Sequence, residues 1–401
     1  MNNSTLKILC TITAYPPSVG GAQLHTHKIV SLLNQTHQIS VITHWTENRT
    51  DWLFGTTLNA PRMVKNYDLD GVPVKQITLN QSERLALIPY VLGYYAIKKI
   101  AVDRISDRLL PKLEASAPAD LDLIHNVRIG REGISYASWK LARKLDIPFI
   151  FTPLHHPRWI GWNYREYINL YQQADGVIAL TNVEKQILIE LGVKPEKIFI
   201  TGIGPLIADT AEPEEFRQKY ALGRDPIILF LGQQYPYKGF QSLWEAAPEV
   251  WKRFPDTRFI FIGPPTKYSK KVFAQIKDER VIELGQVSLA EKTNALAACD
   301  ILCVPSIQES FGGVYPEAWM MKKPVIGGDI PAIREVISDG INGFLVQQDS
   351  AEIADKICQL LQNTSLREKM GAAGYQKVLE KYTWDKLAEK INGAYRQVLQ
   401  G

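Results

Sequence analysis

Short runs of consecutive apolar residues recur along this chain, separated by longer stretches in which apolar positions fall three and four apart. The runs LKILCTI, QISVIT, LDLIHNV, PFIFTP, GVIALT and KIFITGI lie in the first half, and IILFLG, RFIFIG, VIELG, ILCVPS and PVIGG in the second. A strand that is apolar at every position, rather than at alternate ones, is covered on both faces. That is the situation of a parallel sheet with helices above and below. The pattern pauses over GIGPLIADTAEPEEFRQKYALGRDP (202–226), a proline- and charge-containing stretch that reads as a linker, and then restarts. It predicts two doubly wound, Rossmann-like α/β domains, residues 1–205 and 206–382, with a cleft between them as the expected active site. The closing stretch YTWDKLAEKINGAYRQVLQ predicts an amphipathic helix with Thr383 as its N-cap.

The length, 401 residues, suits two domains better than one. With 45% apolar and 22% charged residues, the composition is that of a globular protein. A net charge of +4 is small for this size, and no nucleic-acid partner is expected. The charge is uneven: residues 1–200 hold 22 Lys+Arg against 17 Asp+Glu, a balance of +5 that leaves −1 for the remainder. A mildly basic first half can meet an acidic substrate or an anionic lipid surface, or can simply be solvated. Cys10, Cys299, Cys303 and Cys358 show no C-x-x-C pairing and read as buried free thiols of a reducing compartment. The run LKILCTITAY is too short to span a membrane, and no later stretch offers the roughly 18 apolar residues a spanning helix needs. A cytoplasmic protein is expected. The segment IPYVLGYYAIKKIAVDRISDRLLPKL (Ile88–Leu113) mixes aromatic, aliphatic and basic residues at helical spacing. Either it packs on the N-terminal sheet, or it lies peripherally on an anionic membrane and presents a lipid-linked acceptor.

The chemistry concentrates in PSIQESFGGVYPEAWMMKKPVIGG (Pro305–Gly328). After the strand ILCVPS comes a glycine turn, and a helix is predicted to begin near Pro316. The amides of Gly312, Gly313 and Val314 would then point off a helix N-terminus, where glycines let a phosphate come close. Glu309 and Glu317 flank that spot. A carboxylate does not belong beside a phosphate, so both acids suit hydroxyl groups on either side of it, and a diphosphate with a polyol at each end is a nucleotide-sugar. The plainer alternative makes Ser306-x-x-Glu309 a capping box and Glu317 a complement to the helix dipole. In YPPSVGGAQLHTHKIVSLL, Gly20 and Gly21 sit where strand turns to helix, either as a plain turn or as a close backbone approach to a ligand. In ILFLGQQYPYKGFQSLWEAA, Lys238 follows a strand and is either solvated or a point charge for phosphate oxygens.

Together these segments resemble a retaining glycosyltransferase of the GT-B fold, in the large group called family 4 (glycosyl transferases group 1). Glu309-x7-Glu317 followed by AWMMKKPVIGGDIPAIREVISDGINGFLV is similar to that family's signature through Val346. YPPSVGG resembles its glycine-rich loop, LDLIH its mid-domain strand, and Lys238-Gly239 its phosphate-binding pair. YTWDKLAEKIN resembles the helix that crosses back to the N-terminal domain, so residues 383–401 are expected to join the first domain. The resemblance implies that Glu309 contacts donor-sugar hydroxyls, that Glu317 contacts the ribose, and that Lys238 neutralises the diphosphate. It implies that the turn Ser310-Phe311-Gly312-Gly313-Val314 holds the distal phosphate through its backbone. Gly20 and Gly21 would bring their loop against that phosphate or the leaving-group oxygen. The family also places a histidine after the strand equivalent to PFIFTP; TPLHHPRW offers His155 or His156, and His156 is carried forward with Glu309 and Lys238 as the catalytic set. One position departs from the family, whose arginine before the Lys-Gly pair is Gln233 here. A charged hydrogen bond to phosphate contributes roughly 1.5–3 kcal/mol. Its loss should weaken donor binding about tenfold to a hundredfold. Lys267, Lys270 or Lys271 could compensate, or the donor or leaving group could differ.

The resemblance implies transfer of a hexose to a hydroxyl acceptor with retention of configuration, in polysaccharide or glycolipid synthesis, with no cofactor besides the donor substrate. No metal is expected, because the D-x-D triplets Asp68–Asp70 and Asp120–Asp122 stand in a turn and at a strand start. Two other readings use the same scaffold: a sugar-nucleotide epimerase, and a catalytically silent sugar-nucleotide-binding protein, for which Gln233 is the hint.

Overall fold

A computed structural model describes residues 4–18, 20–45, 52–61, 63–156 and 159–401. The chain forms two compact units, Met1–Thr201 with Trp384–Gly401, and Gly202–Thr383. Unit 1 is built on an eight-stranded sheet: β1 (Lys7–Ala14), β2 (Gln38–Trp45), β3 (Lys65–Leu69), β4 (Val72–Gln76), β5 (Leu123–Val127), β6 (Phe149–Thr152), β7 (Gly176–Ala179) and β8 (Ile198–Ile200). The spatial order is β3-β4-β2-β1-β5-β6-β7-β8, parallel throughout except for the β3–β4 edge hairpin. Its helices are α1 (Gly21–Leu33), α2 (Trp52–Thr56), α3 (Gln81–Leu92), α4 (Lys98–Glu114), α5 (Gly133–Leu145), α6 (Arg165–Gln173) and α7 (Asn182–Glu190).

Unit 2 carries β9 (Ile227–Leu231), β10 (Arg258–Ile262), β11 (Val281–Gly285), β12 (Ile301–Val304), β13 (Val325–Gly328) and β14 (Gly343–Val346) in the order β11-β10-β9-β12-β13-β14, all parallel. Helices α8 (Pro213–Lys219), α9 (Phe240–Trp251), α10 (Lys267–Phe273), α11 (Leu289–Ala298), α12 (Val314–Met320), α13 (Pro331–Val336), α14 (Ser350–Gln362) and α15 (Thr364–Lys381) cover it. The strands β5, β6, β7, β9, β12 and β13 are buried at every position, as continuous apolar runs require.

The last helix, α16 (Trp384–Gln400), belongs to unit 1. Its Tyr395 hydroxyl meets His125 Nδ1 at 2.7 Å, its Asn392 meets His37 Nε2 at 3.0 Å, and Lys390 donates to the Thr201 carbonyl at 3.1 Å.

Three local expectations need correction. The stretch 202–226 is not a free linker: Ala208 and Glu212 donate their amides to Thr293 and Asn294 on α11, and α8 buries Phe216. The stretch Ile88–Leu113 is not one helix but parts of two, because the chain breaks at Gly93 and re-enters at Lys98. The turn in DLDGVPV joins two strands, β3 and β4, that the apolar-run pattern did not include. Strand β3 is polar and mostly exposed.

Candidate functional site

In unit 2 the order in which strands are added reverses between β9 and β12, with β10 and β11 on one side and β13 and β14 on the other. The two central strands share the pairs Ile301↔Ile228 and Leu302↔Leu229. The loops that leave their carboxyl ends diverge at such a reversal and frame a crevice. Both candidate loops start there, Gln233–Gly239 after β9 and Pro305–Gly313 after β12.

The loops are bonded to each other. The Tyr237 carbonyl accepts from the Ile307 amide (2.9 Å), Gln348 Nε2 (3.1 Å) and Ser306 Oγ (3.3 Å), and Gln348 Nε2 also donates to the Pro305 carbonyl (3.0 Å). Gly239 has a φ of 83°, and a Cβ there would stand 2.7 Å from the Pro305 carbonyl, so the loops close only around a glycine. This closure brings the Lys238 ammonium onto the Glu309 carboxylate in a largely buried ion pair. The Ser306 hydroxyl donates to the Tyr237 and Gln308 carbonyls, and no helix begins before Val314, which rules out a capping box at Ser306–Glu309.

Helix α12 begins at Val314, two residues before the expected Pro316. Gly312, with φ 82°, turns the chain there, and a Cβ on it would strike the Tyr315 ring at 2.3 Å. Pro316 then stands in the first turn, where its missing N–H leaves nothing unbonded. The Tyr315 hydroxyl donates to the Val304 carbonyl at 2.9 Å and holds the helix against the end of β12. Among the described residues, the amides of Gly312, Gly313 and Val314 donate to no protein acceptor. Phe311 is buried edge-on against Tyr382 at 5.2 Å, so its side chain packs, and Ser310 is half-buried beside it.

Glu317, in the first turn of α12, is buried, and Lys292 on α11 pairs with its Oε1 at 2.9 Å. Burial pushes this carboxyl up, while Lys292 and the nearby Leu206 amide pull it down. Its Oε2 is buried and has no aligned hydrogen bond among the described residues. Lys292 escaped the sequence reading, because a lysine on an amphipathic helix looks solvated until the fold brings it to an acid. Gln233 is exposed, while its neighbour Gln234 is buried and donates to Glu283 at 2.7 Å. Lys267, Lys270 and Lys271 are exposed on α10 and make no hydrogen bond or ion pair with the Lys238 or Glu309 loops.

In unit 1 the reversal lies between β1 and β5. The glycine pair follows β1: Gly20 caps α1 in extended conformation, with Gln23 where a Cβ would go, and Gly21 has open space where a Cβ would stand. Val19 of this loop lies outside the described residues. The loop is braced from β3–β4. Tyr67 donates to the Pro16 carbonyl at 2.6 Å, and a chain Tyr15–His27–Asp70 runs with 2.9 Å at each step. Asp70 is thereby taken up, Asp68 accepts from the Gly71 amide (2.9 Å), Asp122 accepts from the Lys7 amide (2.6 Å), and Asp120 pairs with the Lys7 ammonium (3.7 Å). Among the described residues, no group of three or more His, Cys, Asp or Glu side chains is placed to hold a metal ion.

The two candidate histidines follow β6 and differ sharply. His155 is buried, its amide donating to Glu184 at 2.6 Å and its Nδ1 lying 3.4 Å from the Tyr171 hydroxyl. Burial, with Arg128 adding to it, lowers its pKa to about 4. Glu184 in turn is pushed up to about 7 by burial. His156 is half-buried, its ring 4.6 Å from Trp159. Pro157 and Arg158 of TPLHHPRW lie outside the described residues. The sequence reading also missed Arg128, directly after β5, whose guanidinium lies 4.0 Å from the Trp159 ring centre and 3.8 Å from that of Tyr167. An arginine directly after the run LDLIHNV was the available signal.

Two family models match this chain: Glycosyltransferase Family 4 over residues 19–202 and Glycosyl transferases group 1 over residues 225–363. A phosphatidyl-myo-inositol mannosyltransferase of Mycobacterium leprae is 38% identical over 174 residues, 43% of this chain and 46% of that protein. The matched region thus spans about half the length of that relative. An uncharacterized glycosyltransferase of Methanocaldococcus jannaschii is 24% identical over 394 residues, 96% of each chain. Among solved structures, HepE of Anabaena in complex with UDP and glucose aligns over 98% of this chain and 100% of its own, with a TM-score of 0.74 and 19% identity. Sucrose-phosphate synthase from Thermosynechococcus elongatus aligns over 98% and 99%, with a TM-score of 0.75 and 16% identity. These structural likenesses bear on the fold: two Rossmann-like units of the GT-B type.

Proposed function

Since this chain belongs to the group 1 and family 4 glycosyltransferases of GT-B fold, we propose that it moves a hexose from a nucleotide-sugar to a hydroxyl acceptor with retention of configuration. The observation that carries this reading is the meeting, at one sheet reversal, of Lys238, Glu309, three open amides and the buried Glu317. In the proposed complex the donor diphosphate displaces Glu309 from Lys238. The ammonium then neutralises the phosphates, and Glu309 is released to accept hydroxyls of the sugar. The amides of Gly312, Gly313 and Val314 hold the distal phosphate, and Glu317, paired with Lys292, accepts from the ribose.

Breaking the anomeric bond leaves positive charge on the sugar and negative charge on the diphosphate. Once the donor has displaced Glu309, Lys238 and the open amides face the negative partner, so they stabilise the transition state without further reorganisation. The leaving phosphate takes the acceptor's proton as the new bond forms on the same face, and no protein nucleophile is required. His156, the more open of the adjacent histidines, is assigned to the transferred sugar and Gly21 to the leaving group, both on the strength of the family motif. The reaction is proposed to run without a metal ion, in the cytoplasm, with the protein in peripheral contact with a membrane.

The test is a donor panel read by melting temperature and then by turnover. A ligand that binds only the folded form raises the melting temperature. At least one nucleotide-sugar should do so, and the product should keep the donor's anomeric configuration in a proton NMR spectrum, with full rate in excess chelator. An inverted product, or isomerisation of donor with no acceptor present, refutes the reading.

A further inference from the structure

Helix α3 turns an apolar stripe away from its own core. Leu87 and Val91 are buried, whereas Leu85, Ile88 and Leu92, also three and four apart, face outward, Leu92 with 72% of its surface exposed. The junction to α4 continues the stripe with exposed Tyr95 and Ile97, and the first turn of α4 adds Ile100 at 53%. The loop before α6 brings Trp162, 63% exposed, and Ile160 to the same region. One buried residue joins these pieces. Lys98 pairs with Glu132 at 2.6 Å, donates to the Asn163 carbonyl, and so ties the α3–α4 junction to the loop carrying Trp162. The Tyr94 hydroxyl donates to the same Glu132. The surface is held in place from beneath.

Its charge is one-sided. No acid occurs between Glu83 and Asp103, nor between Asp146 and Glu166. The bases at its rim are Lys99 and Arg104, exposed on α4, together with Arg131, which donates to the Tyr95 hydroxyl, and Arg165, whose guanidinium lies 3.3 Å from the centre of the Trp162 ring. A large exposed apolar patch on a folded unit marks an interaction surface. Exposed aromatic and aliphatic residues, with Lys99 and Arg104 exposed beside them and Arg165 held by both Trp162 and Glu166, fit the boundary of an anionic bilayer. A second copy of the same face would bring Lys99 and Arg104 against the same exposed bases.

We propose that this surface, formed by α3, the start of α4 and the Trp162 loop, docks the protein on a bilayer rich in anionic lipid, with Leu92 and Trp162 entering the interface and Lys99 and Arg104 meeting the headgroups. The docking does not depend on the transferase reading. Its use does: in that reading the hydroxyl acceptor is carried by a lipid.

Vesicle flotation of the full chain tests it, with phosphatidylcholine alone and with about one third phosphatidylglycerol. The protein should float with the anionic vesicles at low salt, hardly at all with the neutral ones, and lose binding as salt is raised. Leu92→Glu and Trp162→Glu, both at exposed positions, should each lower the bound fraction at least tenfold while melting temperature and donor-induced shift stay unchanged. Failure of the unaltered protein to float with anionic vesicles overturns the proposal, as does undiminished flotation of both variants. A dimer in light scattering that the same variants dissolve would reassign the face to self-association and overturns it equally. The donor-induced shift, measured on the same samples, reports on the transferase reading independently of any of these outcomes.

Discussion

The two units share one architecture and place their ionisable groups in opposite ways. All seven histidines lie in unit 1 and none in unit 2. In unit 1, burial lowers the pKa of His25, His37, His44, His125 and His155, with His25 and His155 near 4 and His125 near 3. Its buried lysine, Lys98, is enclosed between Glu132 and a backbone carbonyl. In unit 2 the charges of the candidate site stand at the sheet reversal: Lys238 with Glu309, and Lys292 with Glu317. Beside them stand amides that, among the described residues, no protein group occupies. A buried charge whose partners are all protein fixes a conformation, whereas an ion pair beside free donors can exchange its partner for a ligand. By that criterion unit 1 has built its charges into its framework, and unit 2 holds its charges ready for a donor.

The largest expected effect breaks the framework side. Lys98→Met keeps the aliphatic stem but leaves Glu132 buried without its cation, and should destabilise unit 1 by about 3–5 kcal/mol. Denaturant unfolding followed by tryptophan fluorescence measures this, and a loss under about 1 kcal/mol would mean that the pair is not structural. On the other side, Lys238→Ala or Glu309→Ala should cut turnover about a hundredfold to a thousandfold, the scale of removing one preorganised transition-state contact. Unfolding curves should hardly move. If either variant turns over at near-normal rates, the site assignment in unit 2 is wrong.

The contrast in histidines predicts different responses to acid. Above their ordinary pKa of 6.5, the buried histidines are neutral in folded and unfolded chain alike, and their contribution is fully present. As pH falls below 6.5 the unfolded chain takes up protons that folded His25, His125 and His155 refuse until about pH 4, 3 and 4. Stability is then lost at about 1.4 kcal/mol per pH unit for each histidine. Glu184 acts in the opposite sense. Its carboxyl is raised to about 7, so its contribution is complete below its ordinary value of 4.5 and fades as pH rises through 7. Three histidines outweigh one acid, and unit 1 should loosen first between pH 6.5 and 4. Hydrogen exchange at pH 7 and pH 5, resolved by peptide, checks this; earlier loosening of unit 2 would contradict it.

How much could be read from the sequence follows the same division. Every parallel strand that is buried on both faces was legible, because burial at every position leaves an unbroken apolar run. The β3–β4 hairpin was not, since KNYDL is exposed at the sheet edge and follows no apolar pattern, and the short edge strand β14 was passed over as well. The glycine turn and its two acids were legible because their spacing is local. Lys292, the cationic partner of Glu317, was not, because the pairing spans 25 residues and exists only after folding. The same holds for Lys98 and Glu132: as a string, the lysine belongs to a basic amphipathic helix, and only the packing of α4 against α5 reveals it as interior.

The smallest predicted effect sharpens the account of unit 2. Gln233 stands in the loop that leads to Lys238, exposed and beside the reversal of the sheet, where the family resemblance expects an arginine. Gln233→Arg should therefore leave the fold untouched and add one charged donor for phosphate oxygens. A gain of about tenfold in donor affinity corresponds to about 1.4 kcal/mol, close to the lower end of what such a bond contributes. Isothermal titration with the best donor of the panel, at fixed salt, measures it. Tighter binding with unchanged turnover would mean that the natural glutamine costs only ground-state affinity. A rise in turnover as well would mean that the leaving diphosphate of the natural enzyme is under-neutralised in the transition state. Unchanged affinity would place the phosphates out of reach of this loop, and the role of Lys238, five residues further along it, would fall with them.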